Sequence, residues 1–159
     1  MENLNKGLNE QFNFEIESGY IYLSMSAYCK DRGMDGFAHF LYEQAKEEFE
    51  HAEKFYNYLF EIDVKPVYEG IEKPEADFGT FLEVFQTAYG HEQEVTRRIN
   101  ALYDKALEVN DHRAISLLQW FVDEQVEEED NFRGIIERLE RIDESWNGLY
   151  IYDRELAQR

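Results

Sequence analysis

The stretch FAHFLYEQAKEEFEHAEKFYNYLFEI, residues 37–62, decides the fold. Apolar side chains recur along it in alternating steps of three and four residues, which is the period of one buried face of an α-helix. In the middle of that face the pattern places Glu48 and His51. A carboxylate on a core face is costly unless another group compensates for its lost hydration. The stretch therefore predicts a long helix with a polar centre.

Three further stretches share this period, and sparse helix breakers separate them. The only prolines, Pro66 and Pro74, lie close together, and turns are expected around Gly33 and Asn110. Asp35 is the expected N-cap after the first turn. The pattern predicts long helices over residues 4–32, 36–62, 79–109 and 112–142, and a short fifth helix over residues 147–157. At about 1.5 Å per residue, each long helix spans about 40–45 Å.

The connections between the helices predict their arrangement. Tight turns join the first helix to the second and the third to the fourth, so each pair forms an antiparallel hairpin. The segment around residues 63–77 is not helical and, fully extended, reaches about 50 Å, which is enough to run the length of the bundle. We expect an all-α fold: an antiparallel four-helix bundle with one long crossover and a short C-terminal helix, forming a single domain over residues 1–159.

Each of the four predicted apolar stripes is interrupted near its middle by a carboxylate. The two hairpins bring these carboxylates to similar heights, so they are expected to converge inside the bundle: Glu15, Glu48, Glu92 and Glu128. Four negative charges in a dry space would repel one another unless most were protonated or a cation lay between them. His51 follows Glu48 by three residues, so both can face one metal from one helix. Carboxylates with one imidazole suit iron or manganese.

Each of these residues also has a purely structural interpretation. His51 could be a hydrogen-bonded core histidine, and the acidic runs 47–48 and 127–129 could be solvated helix faces. Tyr22 lies on the same face as Glu15, either as core packing or as a hydrogen-bonding neighbour of a metal site. The coincidence of four interrupted stripes, similar heights and a Glu-x-x-His spacing favours the metal site.

Composition narrows the function classes. The chain has 159 residues and a formal net charge of −19, which disfavours nucleic acid and anionic membranes as partners and favours cations. It contains no apolar run long enough to span a membrane. No signal peptide is evident at the N-terminus. The one cysteine, Cys29, cannot form an internal disulfide, which fits a reducing compartment. We expect a soluble cytoplasmic protein.

Several further motifs stand along the chain: Leu8-Asn-Glu-Gln, Tyr20-Ile-Tyr-Leu-Ser-Met-Ser-Ala, Gly90-His-Glu-Gln-Glu-Val-Thr, residues 118–129 (LQWFVDEQVEEE) and Gly148-Leu-Tyr-Ile-Tyr-Asp-Arg-Glu-Leu. Together they resemble the prokaryotic non-haem ferritins, and the resemblance covers essentially the whole chain. The chain differs from bacterioferritins and rubrerythrins because Glu124-Gln-Val-Glu127 replaces their second Glu-x-x-His.

The resemblance implies a role for each matching residue. The ligands of a first iron would be Glu15, Glu48 and His51, with Glu48 bridging two irons. Those of a second iron would be Glu92 and Glu128, with Gln125 beside it and Tyr22 nearby. A third iron site would add Glu47, Glu124 and Glu127 and share Glu128. Phe49 stands where bacterioferritins carry a haem-ligating methionine, so no haem is expected.

The resemblance implies an iron-storage protein with ferroxidase activity. A ferritin-like bundle of this kind oxidises Fe(II) to Fe(III) with dioxygen or hydrogen peroxide at a di-iron centre, and stores ferric oxide inside a homo-oligomeric shell of twenty-four subunits. Two alternatives remain open. One is a small di-iron oxidoreductase without storage, such as a rubrerythrin-like peroxide reductase, although the sequence has no pair of cysteines. The other is a bundle without enzymatic activity whose central acids bind nothing.

Overall fold

Five α-helices and no strands make up the chain in the computed structural model, which describes residues 1–159. The all-α prediction is confirmed, and no helix boundary differs from the expected one by more than two residues. The helices are α1 (Glu2–Asp31), α2 (Asp35–Glu61), α3 (Phe81–Glu108), α4 (His112–Ile142) and α5 (Trp146–Leu156). None of them is long and apolar enough to cross a membrane.

Local side-chain chemistry accounts for the helix starts. Thr80 caps α3 in a capping box with Glu83, so α3 begins two residues later than the apolar pattern indicated. Asp111 caps α4 and accepts hydrogen bonds from two backbone N–H groups. The expectation that Asp35 caps α2 is wrong. Buried Met34 takes the cap position without a side-chain hydrogen bond, and Asp35 is the first helical residue, where its charge faces the positive end of the helix dipole.

The long connection between α2 and α3 runs along α1. Asn13 donates to the backbone oxygen of Val67 at 2.8 Å near one end. Further along, Ser24 donates to the backbone oxygen of Glu75 at 2.5 Å. These contacts advance in the same direction on both segments, so the connection carries the chain back along the bundle. It follows that α3 runs antiparallel to α1, as the crossover prediction requires.

The apolar core consists of two separate clusters. One contains 20 buried residues and lies towards α5, and the other contains 14 and lies towards the N-terminus of α1. The helix α5 closes the first cluster: Asp153 accepts a hydrogen bond from Phe37 N at 2.8 Å. Between the clusters, at mid-bundle, the buried side chains are polar. This polar layer is where the interrupted stripes meet.

Candidate metal centre

The polar layer receives one carboxylate from each of the four long helices. All four are almost completely buried, with exposed fractions of 0–3%, and an isolated buried carboxylate is rare because its charge loses hydration. They are Glu15 of α1, Glu48 of α2, Glu92 of α3 and Glu128 of α4. The four-stripe pattern in the sequence therefore corresponds to four buried acids in the fold.

Three side chains of the layer lie close enough together to bind one metal ion. One ligand atom each from Glu15, Glu48 and His51 lies within 4.8 Å of the others. Glu15 Oε2, Glu48 Oε2 and His51 Nδ1 are buried and have no hydrogen-bond partner. Buried polar atoms normally have a hydrogen-bond partner, so three unpaired ones on side chains that lie this close together indicate a site for an additional ligand. The arrangement can hold one cation by two oxygens and one nitrogen.

Glu92 stands on the other side of the layer and is hydrogen-bonded by its neighbours. The Tyr22 hydroxyl donates to Glu92 Oε1 across the bundle. Gln125 Nε2 donates to Glu92 Oε2 at 3.0 Å. Tyr22 is therefore a hydrogen-bonding neighbour of the acidic cluster, and its ring also stacks on Phe132 with ring centroids 5.9 Å apart. Tyr22 thus combines core packing with hydrogen bonding to the acidic cluster, the two roles that the sequence left open.

Glu128 is linked to Glu48 through an amide. Gln44 Nε2 donates to Glu48 Oε1 at 2.9 Å and to Glu128 Oε2 at 2.8 Å. On the opposite side, Gln11 Nε2 donates to Glu15 Oε1 at 2.7 Å. With Gln125 on Glu92, each of the four buried carboxylates thus accepts a hydrogen bond from a glutamine.

The buried carboxylates of the polar layer lie close enough for their negative charges to raise one another's pKa values. Burial, followed by the charge of Glu48, raises the pKa of Glu15 well above its ordinary value. The same two causes raise the pKa of Glu128 to about 7. Burial, followed by the charges of Glu48 and Glu128, also raises the pKa of Glu92. A cation would relieve this repulsion directly.

His51 and Glu48 influence each other in the opposite sense. Burial by itself would lower the pKa of His51, but Glu48 and its neighbouring carboxylates raise it to about 9. Burial would raise the pKa of Glu48, but the adjacent imidazole lowers it below its ordinary value. In the metal-free protein, His51 therefore acts as the positive charge of the layer. A metal ion would have to displace its proton.

The three residues expected to form a further metal site are not gathered into this group. Glu47 is bound by Arg159, whose Nη2 lies 2.6 Å from Glu47 Oε2. Glu124 approaches His51, with 3.9 Å between Oε1 and Nε2. Glu127 is exposed. These acids lie at the rim of the polar layer, where their carboxylates remain accessible to water.

Sequence reasoning did not single out Gln11 and Gln44 as part of this layer, or Arg98 as the residue that contacts Gln11. The signal was present: Gln11 precedes Glu15, and Gln44 precedes Glu48, by one helical turn, a spacing at which an amide reaches a carboxylate. His91 of α3 is half-buried beside the layer. Its Nε2 lies 2.7 Å from Ser18 Oγ, and its ring stacks on Phe14.

Comparison with known proteins gives consistent results. A family model described as "Ferritin-like domain" matches residues 5–142. The chain is 42% identical over 158 residues to a bacterial non-heme ferritin of Staphylococcus aureus (strain USA300), covering 99% of this chain and 95% of that protein. The corresponding protein of Staphylococcus haemolyticus (strain JCSC1435) is 41% identical over the same length.

Solved structures agree with the sequence relatives. The fold is similar to that of an open pore ferritin from the archaeon Archaeoglobus fulgidus, with a TM-score of 0.98 and 36% identity, over 100% of this chain and 98% of that one. A humanized archaeal ferritin also matches, with a TM-score of 0.98 and 37% identity.

Proposed function

This chain belongs to the ferritin family, and we propose on that basis that it is an iron-storage protein of the non-haem type with ferroxidase activity. Its substrates are Fe(II) and an oxidant, either dioxygen or hydrogen peroxide. Its product is Fe(III), which hydrolyses to ferric oxide and is retained. Iron is therefore both the substrate and the stored cargo of this protein.

The observation that carries the proposal is the set of unsatisfied buried atoms at mid-bundle. Glu15 Oε2, Glu48 Oε2 and His51 Nδ1 have no hydrogen-bond partner. Two carboxylate oxygens and one imidazole nitrogen suit Fe(II), which is harder than the metals that thiolates select. We assign these three residues to the first iron.

Glu92 and Glu128 are assigned to the second iron, and Glu48 bridges the two. Gln125 and Tyr22 contact Glu92 and hold its carboxylate by hydrogen bonds. Burial, followed by the charges of Glu92 and Glu48, raises the pKa of Tyr22 well above its ordinary value, so its hydroxyl remains a donor at neutral pH. Its role in the proposal is to orient Glu92.

A pair of irons matches the electron demand of the oxidant. Each Fe(II) gives one electron, so two give the pair that reduces dioxygen to hydrogen peroxide, or hydrogen peroxide to water, with two protons taken up. The task of the protein is to keep both irons within reach of one oxidant molecule in a site of fixed geometry. Rigid helices provide that geometry, since all four primary carboxylates lie on them.

Storage requires more than one chain, because a single bundle cannot enclose a mineral. We extend the proposal to a homo-oligomeric shell of twenty-four subunits in the cytoplasm. The net charge of −19 per chain supports it, since acidic surfaces concentrate Fe(II) and favour nucleation of the oxide. In this arrangement, Glu47, Glu124 and Glu127, together with Glu128, form a third iron site at the rim. Iron would compete there with Arg159 for Glu47.

The test measures iron retained per chain. Metal-free protein is loaded with excess Fe(II) in air and passed through a sizing column, and iron and protein are quantified in each fraction. We expect many irons per chain, co-eluting with a particle far larger than a monomer. Two or three irons per chain on a small species would instead indicate the rubrerythrin-like alternative, a di-iron enzyme without storage. No retained iron would contradict both.

A matched pair of variants tests the assigned residues in the same experiment. Glu15→Gln removes a buried carboxylate of the layer, whereas Glu50→Gln removes an exposed carboxylate from the same bundle. We expect slow iron oxidation in the first variant and unchanged oxidation in the second. Equal rates in both variants would mean that the polar layer is not the oxidation site.

A further inference from the structure

Two glutamines of the polar layer have no role in the assignment above. We propose that Gln11 and Gln44 are positioning residues that act on different carboxylates: Gln11 acts on Glu15 and so on the first iron alone, and Gln44 acts on Glu48 and Glu128 and so on both irons. This inference rests on the proposed function, because it concerns the ligands of the same centre. It adds a means by which the first iron is tuned through Gln11 without the second.

The first argument is which carboxylate oxygens the amides occupy. Gln11 donates to Oε1 of Glu15 and leaves Oε2 unpaired. Gln44 donates to Oε1 of Glu48 and also leaves Oε2 unpaired. In both cases the amide holds one oxygen of the carboxylate, and the other oxygen is free for a metal. The two glutamines therefore determine which way each carboxylate presents its free oxygen.

Gln11 is itself held from outside the layer. Arg98 Nε donates to Gln11 Oε1 at 3.0 Å, and the guanidinium of Arg98 lies over the Phe14 ring, 4.1 Å from its centroid. Because a guanidinium only donates hydrogen bonds, the oxygen of the amide must face Arg98, and its NH2 group must face Glu15. Neither Arg98 nor Gln11 forms a hydrogen bond to any other carboxylate of the centre.

Gln44 occupies a different place, between two helices that stay apart. No Cα atom of α2 comes within 8 Å of one of α4, so the side chains must bridge that gap. The amide of Gln44 does so, since its Nε2 is the donor to both Glu48 and Glu128. The side chain of Gln44 is almost completely buried, with an exposed fraction of 1%. Gln44 thus sets the separation of the bridging carboxylate from a ligand of the second iron.

The size of the effect follows from comparable metal sites. Groups that hydrogen-bond to metal ligands orient them, and their loss typically costs about 10–100-fold in metal affinity. Because Gln11 contacts Glu15, whereas Gln44 contacts both the bridging Glu48 and Glu128, the loss of Gln11 is expected to affect the first metal alone and the loss of Gln44 to affect both. General loosening of the bundle would instead affect both metals in both variants.

The test uses zinc, which binds without being oxidised, and the assembled metal-free protein. Zn(II) binding is followed by titration calorimetry in the wild type and in Gln11→Met and Gln44→Met, in which methionine keeps the length of the side chain and removes the NH2 donor. Glu15→Gln and Glu128→Gln identify which binding step belongs to which metal. Gln119→Met is the control, since it removes a 3.0 Å amide–carboxylate bond to Asp123 on the exposed face of α4.

We expect Gln11→Met to weaken by about 10–100-fold the step that Glu15→Gln abolishes and to leave the other step within about threefold. Gln44→Met should weaken both steps by about 10–100-fold, and Gln119→Met should match the wild type. Circular dichroism checks that every variant is folded, and Gln44→Leu replaces Gln44→Met if that variant is not.

Two results would overturn the inference while leaving the proposed function intact. In one, the wild type binds two Zn(II) per chain, and both glutamine variants bind them equally well. In the other, both variants weaken both steps by the same factor, as a general loss of packing would. If the wild type binds no Zn(II) at mid-bundle, the proposed function itself is wrong and the inference fails with it.

Discussion

His51 Nδ1 lies 3.5 Å from Glu48 Oε2 on the same face of α2, and neither atom has a hydrogen-bond partner. The distance is too long for a good N–H···O hydrogen bond, although it brings opposite charges together. One turn of α2 therefore holds a buried oxygen and a buried nitrogen close together, and neither atom is hydrogen-bonded. This pair is the part of the proposed metal centre that a single helix supplies.

Replacing Glu48 by glutamine tests that pair. Glu48→Gln keeps the shape of the side chain but removes its charge and one acceptor oxygen, and Glu48 is the proposed bridge between both irons. We expect the initial rate of Fe(II) oxidation to fall by at least roughly 100-fold, since even residues that only support metal ligands cost 10–100-fold. The rate is followed by ferric absorbance after rapid mixing. Glu53→Gln, at an exposed position of the same helix, is the control. Rapid oxidation in Glu48→Gln would refute the bridging role.

The Tyr22 hydroxyl can be removed without disturbing its ring. Tyr22→Phe should keep the stacking on Phe132 but deprive Glu92 of one donor. We expect a severalfold slower oxidation and a loss of about 1 kcal/mol in the free energy of unfolding of the metal-free protein. Rapid mixing and denaturant titration measure the two effects. A loss of activity as large as that of Glu48→Gln would show that Tyr22 does more than orient Glu92.

The stability of the metal-free protein should fall as the pH rises. The pKa of Glu128 is raised to about 7 in the folded state, so ionisation disfavours the folded state once the pH passes the ordinary carboxyl value. The pKa of His51 is raised to about 9, so its stabilising contribution is complete below the ordinary imidazole value and is lost as the pH rises through 9. Both shifts act in the same direction.

Thermal unfolding of chelator-treated protein at about pH 5.5 and about pH 8.5 measures this dependence. We expect a midpoint lower by at least about 3 °C at the higher pH, since 1 kcal/mol corresponds to about 2–4 °C in a chain of this size. Bound Zn(II) should reduce the difference, because a cation stabilises the ionised carboxylates. A midpoint that rises with pH in the metal-free protein would contradict the electrostatics described for the polar layer.

Two glycines should respond to alanine in opposite ways. A Cβ at Gly36 would lie 1.7 Å from the backbone oxygen of Asp153, so Gly36→Ala must displace α5 from α2. A Cβ at Gly90, inside α3, would meet nothing within 4 Å, so Gly90→Ala gains helix propensity of about 0.5–1 kcal/mol. We expect a lower unfolding midpoint for the first and a higher one for the second, by calorimetry. A stable Gly36→Ala protein would mean that the packing of α5 adjusts readily.

Much of the fold could be predicted from the sequence because the signals are local. The apolar period identified four long helices, and the two tight turns and one long crossover predicted their order. The caps were harder to predict: Asp35 was expected to be the N-cap of α2, whereas Met34 takes the cap position because its side chain is buried in the core. Cap choice depends on what packs nearby, and a single segment does not contain that information.

In the candidate site, too, some features could be predicted from the sequence and others could not. The positions of Glu15, Glu48, Glu92 and Glu128 on buried stripes follow from helical periodicity alone. The hydrogen bond from Tyr22 to Glu92 joins two helices that are far apart in sequence, so the sequence could offer it only as one of two alternatives. That assignment required the distance between α1 and α3.

By itself, then, the sequence determined that four acids and one histidine would be buried at one height, because helix geometry places residues on a face without reference to the rest of the chain. Only the tertiary structure decided which oxygen of each carboxylate stays free. That choice depends on Gln11 and Gln44, and Gln44 acts across a gap between α2 and α4 that no local pattern records. Two apolar clusters pack at either end of the polar layer, and such packing is a property of the whole bundle.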